Sequence, residues 1–97
     1  MDIMMKNTDK IKLLKKEVRK FGIQDLTDIQ VMDSIQTANI NLKNAGGQYV
    51  EVKDGDIKLL TAMIVAVWFS FKSKKPFEDH LMEAINKIVP NELTDDY

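Results

Sequence analysis

Four segments of the chain repeat apolar residues at helical spacing. Ile11, Leu14, Val18 and Phe21 follow one another at intervals of three and four, the narrow apolar stripe of a helix over residues 9–21. Thr8 stands where an N-cap is needed, and Asp9 favours the positive end of the helix dipole. Gly22 is the stop, since glycine adopts the left-handed conformation readily, and Ile23 beyond it is placed to pack back on Val18.

The second helix has the strongest start signal. Thr27-Asp28-Ile29-Gln30 is a capping box, flanked by Leu26 and Val31 in the positions of a hydrophobic staple. Such a cap is worth about 1 kcal/mol. Val31, Ile35, Ala38, Leu42 and Ala45 then repeat along one face, and Gly46-Gly47 ends the run. Residues 48–53 alternate and carry β propensity. This candidate β segment is too short and too isolated to build a sheet, so it pairs with another chain, with a ligand peptide or with nothing. Asp54-Gly55-Asp56 reads as a turn, with Asp56 placed to cap the next helix.

From Leu59 to Phe71 the only polar residues are Thr61 and Ser70, with Lys58 and Lys72 closing the ends. A membrane span needs about 20 apolar residues. The stretch is shorter than that and predicts a central helix over residues 57–72, buried on most sides. Pro76 suits the first turn of a last helix whose stripe is Phe77, Leu81, Ala84 or Ile85, and Ile88, ended by Pro90. The pattern predicts an all-α fold: a small four-helix bundle-like domain with a central apolar helix, one domain over 1–97, frayed at 1–7 and 91–97.

The 97 residues hold one compact domain with a thin core, and the apolar share of 44% is that of a globular chain. There is no cysteine, which removes disulfides and thiolate chemistry and fits a cytoplasmic location. The first residues lack the basic and apolar segments of a signal peptide. Thirteen lysines against one arginine, with ten isoleucines and six asparagines, are AT-rich codon usage. That usage points to a low-GC bacterium, its plasmid or its phage.

The net charge of −1 hides alternating blocks. Residues 1–21 carry net +4, 22–56 net −4, 57–75 net +4 and 76–97 net −5. Oppositely charged helices lying side by side account for this pattern as solvated faces. Otherwise one block faces a partner of opposite charge. The basic candidate is Lys12, Lys15, Lys16, Arg19 and Lys20; the acidic one is the tail with Glu92, Asp95 and Asp96.

Catalytic and metal chemistry find little support. A lone His80, with Glu83 and Asp79 nearby in sequence, lacks the further ligands a metal needs and reads as a surface or rim residue. Ser34, Ser70 and Ser73 sit in no nucleophile-elbow pattern. Asp54-Gly55-Asp56 lacks the remaining ligands of a calcium loop, and Gly46-Gly47 ends a helix rather than opening one. No cofactor is expected. A helix–turn–helix reading puts Asp28 and Asp33 where bases would be read, which opposes phosphate, although the first helix could grip a nucleic-acid backbone.

Trp68 and Phe69 point about 100° apart on a helix, so both are core residues only if that helix is surrounded. A dimer or a partner would cover whatever a thin core leaves open. Gln48 and Tyr49, beside the two glycines, form a candidate contact loop. The expectation is a non-enzymatic protein–protein interaction module, such as a phage or plasmid accessory or inhibitor protein. It would bind through Lys12, Lys15, Lys16, Arg19, Lys20, Gln48 and Tyr49. The alternatives are a nucleic-acid-associated protein using the basic first helix, or a membrane-associated immunity-type protein using residues 59–71.

Overall fold

The structure, a computed structural model, describes residues 7–88. They form four helices: α1 (Asn7–Arg19), α2 (Asp28–Asn44), α3 (Ile57–Ser70) and α4 (Phe77–Ile88). The all-α, bundle-like expectation holds. Asn7 and Thr8 are already helical, so Thr8 lies inside the first turn of α1 rather than before it. Of the segments expected to fray, 1–7 and 91–97, Asn7 is instead helical, and residues 1–6 and 91–97 lie outside the described residues.

The helix ends obey local rules. Gly22 (φ +85°) closes α1 with two crossed bonds, the Ile23 amide donating to Val18 O (3.2 Å) and the Gly22 amide to Arg19 O (3.0 Å). Val18 and Ile23 are both buried, which is the apolar contact that accompanies such an ending. Gly46 (φ +88°) closes α2 in the same way, through Gly47 to Leu42 O (2.7 Å) and Gly46 to Lys43 O (3.1 Å). At the start of α2 the capping box is complete: the Gln30 amide donates to Thr27 Oγ1 (3.1 Å) and the Thr27 amide to Gln30 Oε1 (2.9 Å). Two further expectations at helix ends fail. Asp56 occupies the N-cap of α3 without a side-chain bond, and Ala45 is an exposed C-cap rather than part of the buried stripe.

α3 is the centre. It packs against all three other helices, and every residue from Leu60 to Val67 is buried. Such burial all round explains why this helix is apolar without a preferred face. Trp68 and Phe69, at its C-terminal end, are half-buried against the core. Residues 60–67 of the apolar stretch on which a membrane-associated reading relied are therefore the protein's own interior, whereas Phe71 at its end is 74% exposed, and no helix among the described residues is long and apolar enough to cross a membrane.

The candidate β segment forms no strand. Residues 48–53 are loop and turn, because no second strand is present among the described residues to satisfy their backbone. A side chain takes the partner strand's place. Asn39, buried on α2, accepts from the Val50 amide (2.8 Å) and donates to the Val50 carbonyl (2.8 Å). Beyond it the chain turns, with Gly55 N bonding Glu51 O at 2.8 Å. Lys10 of α1 then donates to three carbonyls of that turn: Val52 (2.9 Å), Lys53 (2.9 Å) and Gly55 (3.0 Å). Gly55 sits so close to α3 that an added Cβ would lie 2.8 Å from Leu60. Lys10→Met keeps the aliphatic stem and removes the three donated bonds. The expected loss is about 2 kcal/mol, checked by denaturant titration, with faster amide exchange confined to residues 52–55. An unchanged midpoint would mean that water replaces the ammonium without loss.

Candidate functional site

Three surfaces are candidates, and the first is the basic face of α1. Lys12, Lys16 and Arg19 recur at four and three residues along one exposed stripe, and none makes an ion pair among the described residues. Lys15 is half-buried and pairs with Asp28 at the start of α2, where it ties the first two helices together. Lys20 pairs with Glu17 at 3.0 Å. Lys15–Asp28 and Lys75–Glu83 (2.9 Å) are ion pairs that cross between oppositely charged blocks. The second pair holds the Glu83 carboxyl below its ordinary range and Lys75 above its own, through a hydrogen bond reinforced by charge attraction. The blocks thus partly neutralise one another, while the Lys12–Lys16–Arg19 stripe is left over among the described residues.

The second surface is the loop around Tyr49. Gln48 and Tyr49 are both exposed, as their place beside the glycines suggests. Tyr49 lines a cleft of about 340 Å³ together with Met32 and Gln36 of α2, Asn7 of α1, and Glu51. The Asn39–Val50 bonds hold Tyr49 there from behind, fixing its carbonyl-side neighbour to α2. On α2, Ile29 (72% exposed), Met32 (41%) and Ile40 (56%) carry the apolar surface outward along the helix. Sequence reasoning missed this second apolar stripe because the core stripe of α2 was the stronger pattern. Its signal was present but diluted: Ile29, Met32 and Ile40 share a face of α2 with the polar Asp33, Gln36 and Lys43. The structure does not bring the predicted residues into one site. Tyr49 lines the α2 cleft, whereas Lys20 lines a different one.

The third surface is a groove over α3. α1 and α4 both pack on α3 yet make no comparable contact with one another. Between them lies a cleft of about 410 Å³, walled by Phe21, Ile57 and Ile88 and rimmed by Lys20, Lys58 and Lys87. It continues past Phe21 and Lys87 to a narrow end beside His80 and Phe69. Two buried side-chain atoms have no hydrogen-bond partner among the described residues, Thr61 Oγ1 and His80 Nε2. Thr61 lines the wide part of the groove and His80 its narrow end. An unpartnered buried polar atom costs about 1–3 kcal/mol.

His80 corrects the expectation of a surface or rim residue: it is buried (9% exposed) on the core face of α4. It lies three residues after Phe77 and four before Ala84, both buried, so its place on that face was readable from spacing. Its Nδ1 faces Glu83 at 4.0 Å. No serine is its partner. Ser34 donates to Gln30 O (2.8 Å) and accepts from Trp68 Nε1 (3.0 Å), Ser70 donates to Val67 O (2.8 Å), and Ser73 accepts from the Lys75 amide (3.1 Å). Among the described residues no three His, Asp or Glu side chains converge to hold a metal ion. Comparison with protein-family models, with curated proteins and with solved structures finds no match to this chain.

Proposed function

We propose that this protein is a non-enzymatic protein-binding module, of the accessory or inhibitor kind, that docks a partner through the outer face of α2 and the Tyr49 loop. The observation that carries the reading is the set of large apolar side chains exposed there, Ile29, Met32, Ile40 and Tyr49. Scattered apolar residues on a surface mean little, but a run along one helix face beside a cleft is what an interface core needs. Tyrosine and methionine are the residue types enriched in such cores. Glu51 and Lys53, which pair with each other at 3.8 Å, line the Tyr49 cleft and supply a polar rim around this apolar centre. Lys12, Lys16 and Arg19 form a separate contact whose contribution is electrostatic, acting on association rate and salt dependence.

The test compares what is retained from a lysate, with and without nuclease, by the wild type, by Met32→Glu/Tyr49→Ala and by Lys12→Glu/Lys16→Glu/Arg19→Glu. The expected result is a protein retained under both conditions and lost in the first variant, which should weaken binding by at least about 2 kcal/mol if these are anchor residues. Its melting temperature should barely change, since the altered side chains are exposed. A second reading, grip on a nucleic-acid backbone by α1, is favoured by the exposed Lys12–Lys16–Arg19 stripe, which makes no ion pair among the described residues. Retention that vanishes with nuclease and in the second variant would establish it and overturn the first.

A further inference from the structure

The outer face of α2 has a spacing of its own. Ile29, Asp33, Gln36, Ile40 and Lys43 follow one another at intervals of four, three, four and three, the seam of a two-helix coiled coil. All five are exposed, opposite the buried stripe of Val31, Ile35 and Ala38. We propose that this seam pairs with the same seam of a second copy of the chain, the two α2 helices running antiparallel about a two-fold axis. This pairing rests on the reading of that face as a docking surface and names its occupant.

The order of residues along the seam selects the partner. A two-fold axis level with the Ser34–Ile35 peptide sets Ile29 against Ile40 of the second copy, and Ile40 against its Ile29. Between these apolar layers Asp33 meets Gln36 of the second copy, the carboxylate accepting from the side-chain amide. Beyond them Lys43 reaches the segment that leads into the other α2, where Asp25 stands. Asp25, Asp33 and Lys43 make no ion pair among the described residues, and the Gln36 side chain makes no hydrogen bond there, so each is available. A parallel pairing would instead set Asp33 against Asp33 and Lys43 against Lys43, like charges face to face. The seam is therefore complementary to itself in one direction only.

The flanks of α2 add apolar area. An antiparallel two-fold keeps each flank on its own side, so the Met32 and Tyr49 flank faces the same flank of the second copy. On the other flank Phe71 borders a cleft of about 180 Å³ with Asp33, Thr37 and Trp68. Ile29, Met32, Ile40, Tyr49 and Phe71 are all the large exposed apolar side chains of the described residues except Met82. One contact face thus shelters nearly all the large apolar side chains that these residues leave in water. The seam from Ile29 to Ile40 is about 17 Å of helix. Apolar layers around a polar centre over that length make a small interface, with a dissociation constant expected on the order of 10 µM. A different protein on the same face has to displace the second copy.

Sedimentation equilibrium of the purified full chain should show a monomer–dimer equilibrium. Ile40→Glu places a carboxylate in both apolar layers and should weaken it by about a hundredfold or more. Ile40 is exposed in the monomer, so the variant should fold as the wild type does. Lys43→Glu should weaken the dimer roughly fivefold, as an exposed pair made twice by symmetry predicts. Helix direction is read by cross-linking. The chain has no cysteine, so Ile29→Cys and Ile40→Cys carry one thiol each. Under copper–phenanthroline oxidation an equimolar mixture of the two should form a disulfide-linked pair, while either variant alone should stay mostly unlinked. Monomer at every concentration, a dimer indifferent to Ile40→Glu, or each cysteine variant linking alone as fast as the mixture would each overturn the proposal. Monomer that still retains a lysate protein, lost in Met32→Glu/Tyr49→Ala, would overturn self-pairing and leave the docking reading standing. A dimer that retains nothing would support self-pairing and remove the separate partner.

Discussion

Replacing Asn39 with alanine should destabilise the protein by about 3 kcal/mol. For a domain of this size that is a fall of roughly 12–24 °C in melting temperature. Asn39 is 1% exposed and holds both backbone groups of Val50. Truncation strands the Val50 amide and carbonyl at once and leaves a void on α2. Asn39→Leu separates the two contributions, because it restores volume but not the bonds, and it should recover only the smaller part. Asn39→Asp keeps the acceptor for the Val50 amide but sets a carboxylate oxygen against the Val50 carbonyl, so it should lose as much as alanine at neutral pH. Thermal melting followed by circular dichroism measures all three. A midpoint for Asn39→Ala within a few degrees of the wild type would show that the loop is held from elsewhere. Because Tyr49 precedes Val50, the same variant should also weaken partner binding, linking a buried amide to the proposed docking surface.

Ile64→Ala should cost about 4 kcal/mol, within the range seen when a fully buried branched side chain is cut back. Ile64 has no exposed surface and sits mid-way along the buried run of α3. α3 is the element against which every other helix packs. A cavity there cannot be closed by shifting one neighbour without pulling another away, so relaxation recovers little. Against a total stability of about 5–15 kcal/mol for small proteins, one such change removes much of the margin. Ile29→Ala, which trims an isoleucine of the same size at an exposed site, should stay within about 0.5 kcal/mol of the wild type. Urea titration of both variants checks the contrast. Equal losses would mean that α3 is not the centre of the core.

Much of the helical framework was legible because its signals are local. The Gly22 and Gly46 endings and the Thr27–Gln30 capping box each depend on residues within a few positions of one another. The apolar periods of α1 and α4 and the unbroken apolar run of α3 reported their burial directly. Errors arose where two patterns overlapped on one helix. The outer stripe of Ile29, Met32 and Ile40 was masked by the inner stripe of α2. His80 was judged by residue type although its spacing from Phe77 and Ala84 placed it inside.

Four helices, the glycine endings after the first two and the place of the third at the core were thus written in the chain, since periodicity, capping and glycine endings act over short stretches, whereas α1 stops at Arg19 rather than Phe21 and α3 at Ser70 rather than Lys72. The use made of polar side chains emerged only when the helices came together. Asn39 meets Val50 across eleven positions and Lys10 meets Val52 across forty-two. In the linear pattern both look like ordinary solvated residues, because a hydrogen bond is specified by where its partner lies and not by the donor's own type. The groove over α3 has the same origin. It exists because α1 and α4 choose different sides of one helix, and helix packing is set by the shapes of all four faces together rather than by any one of them.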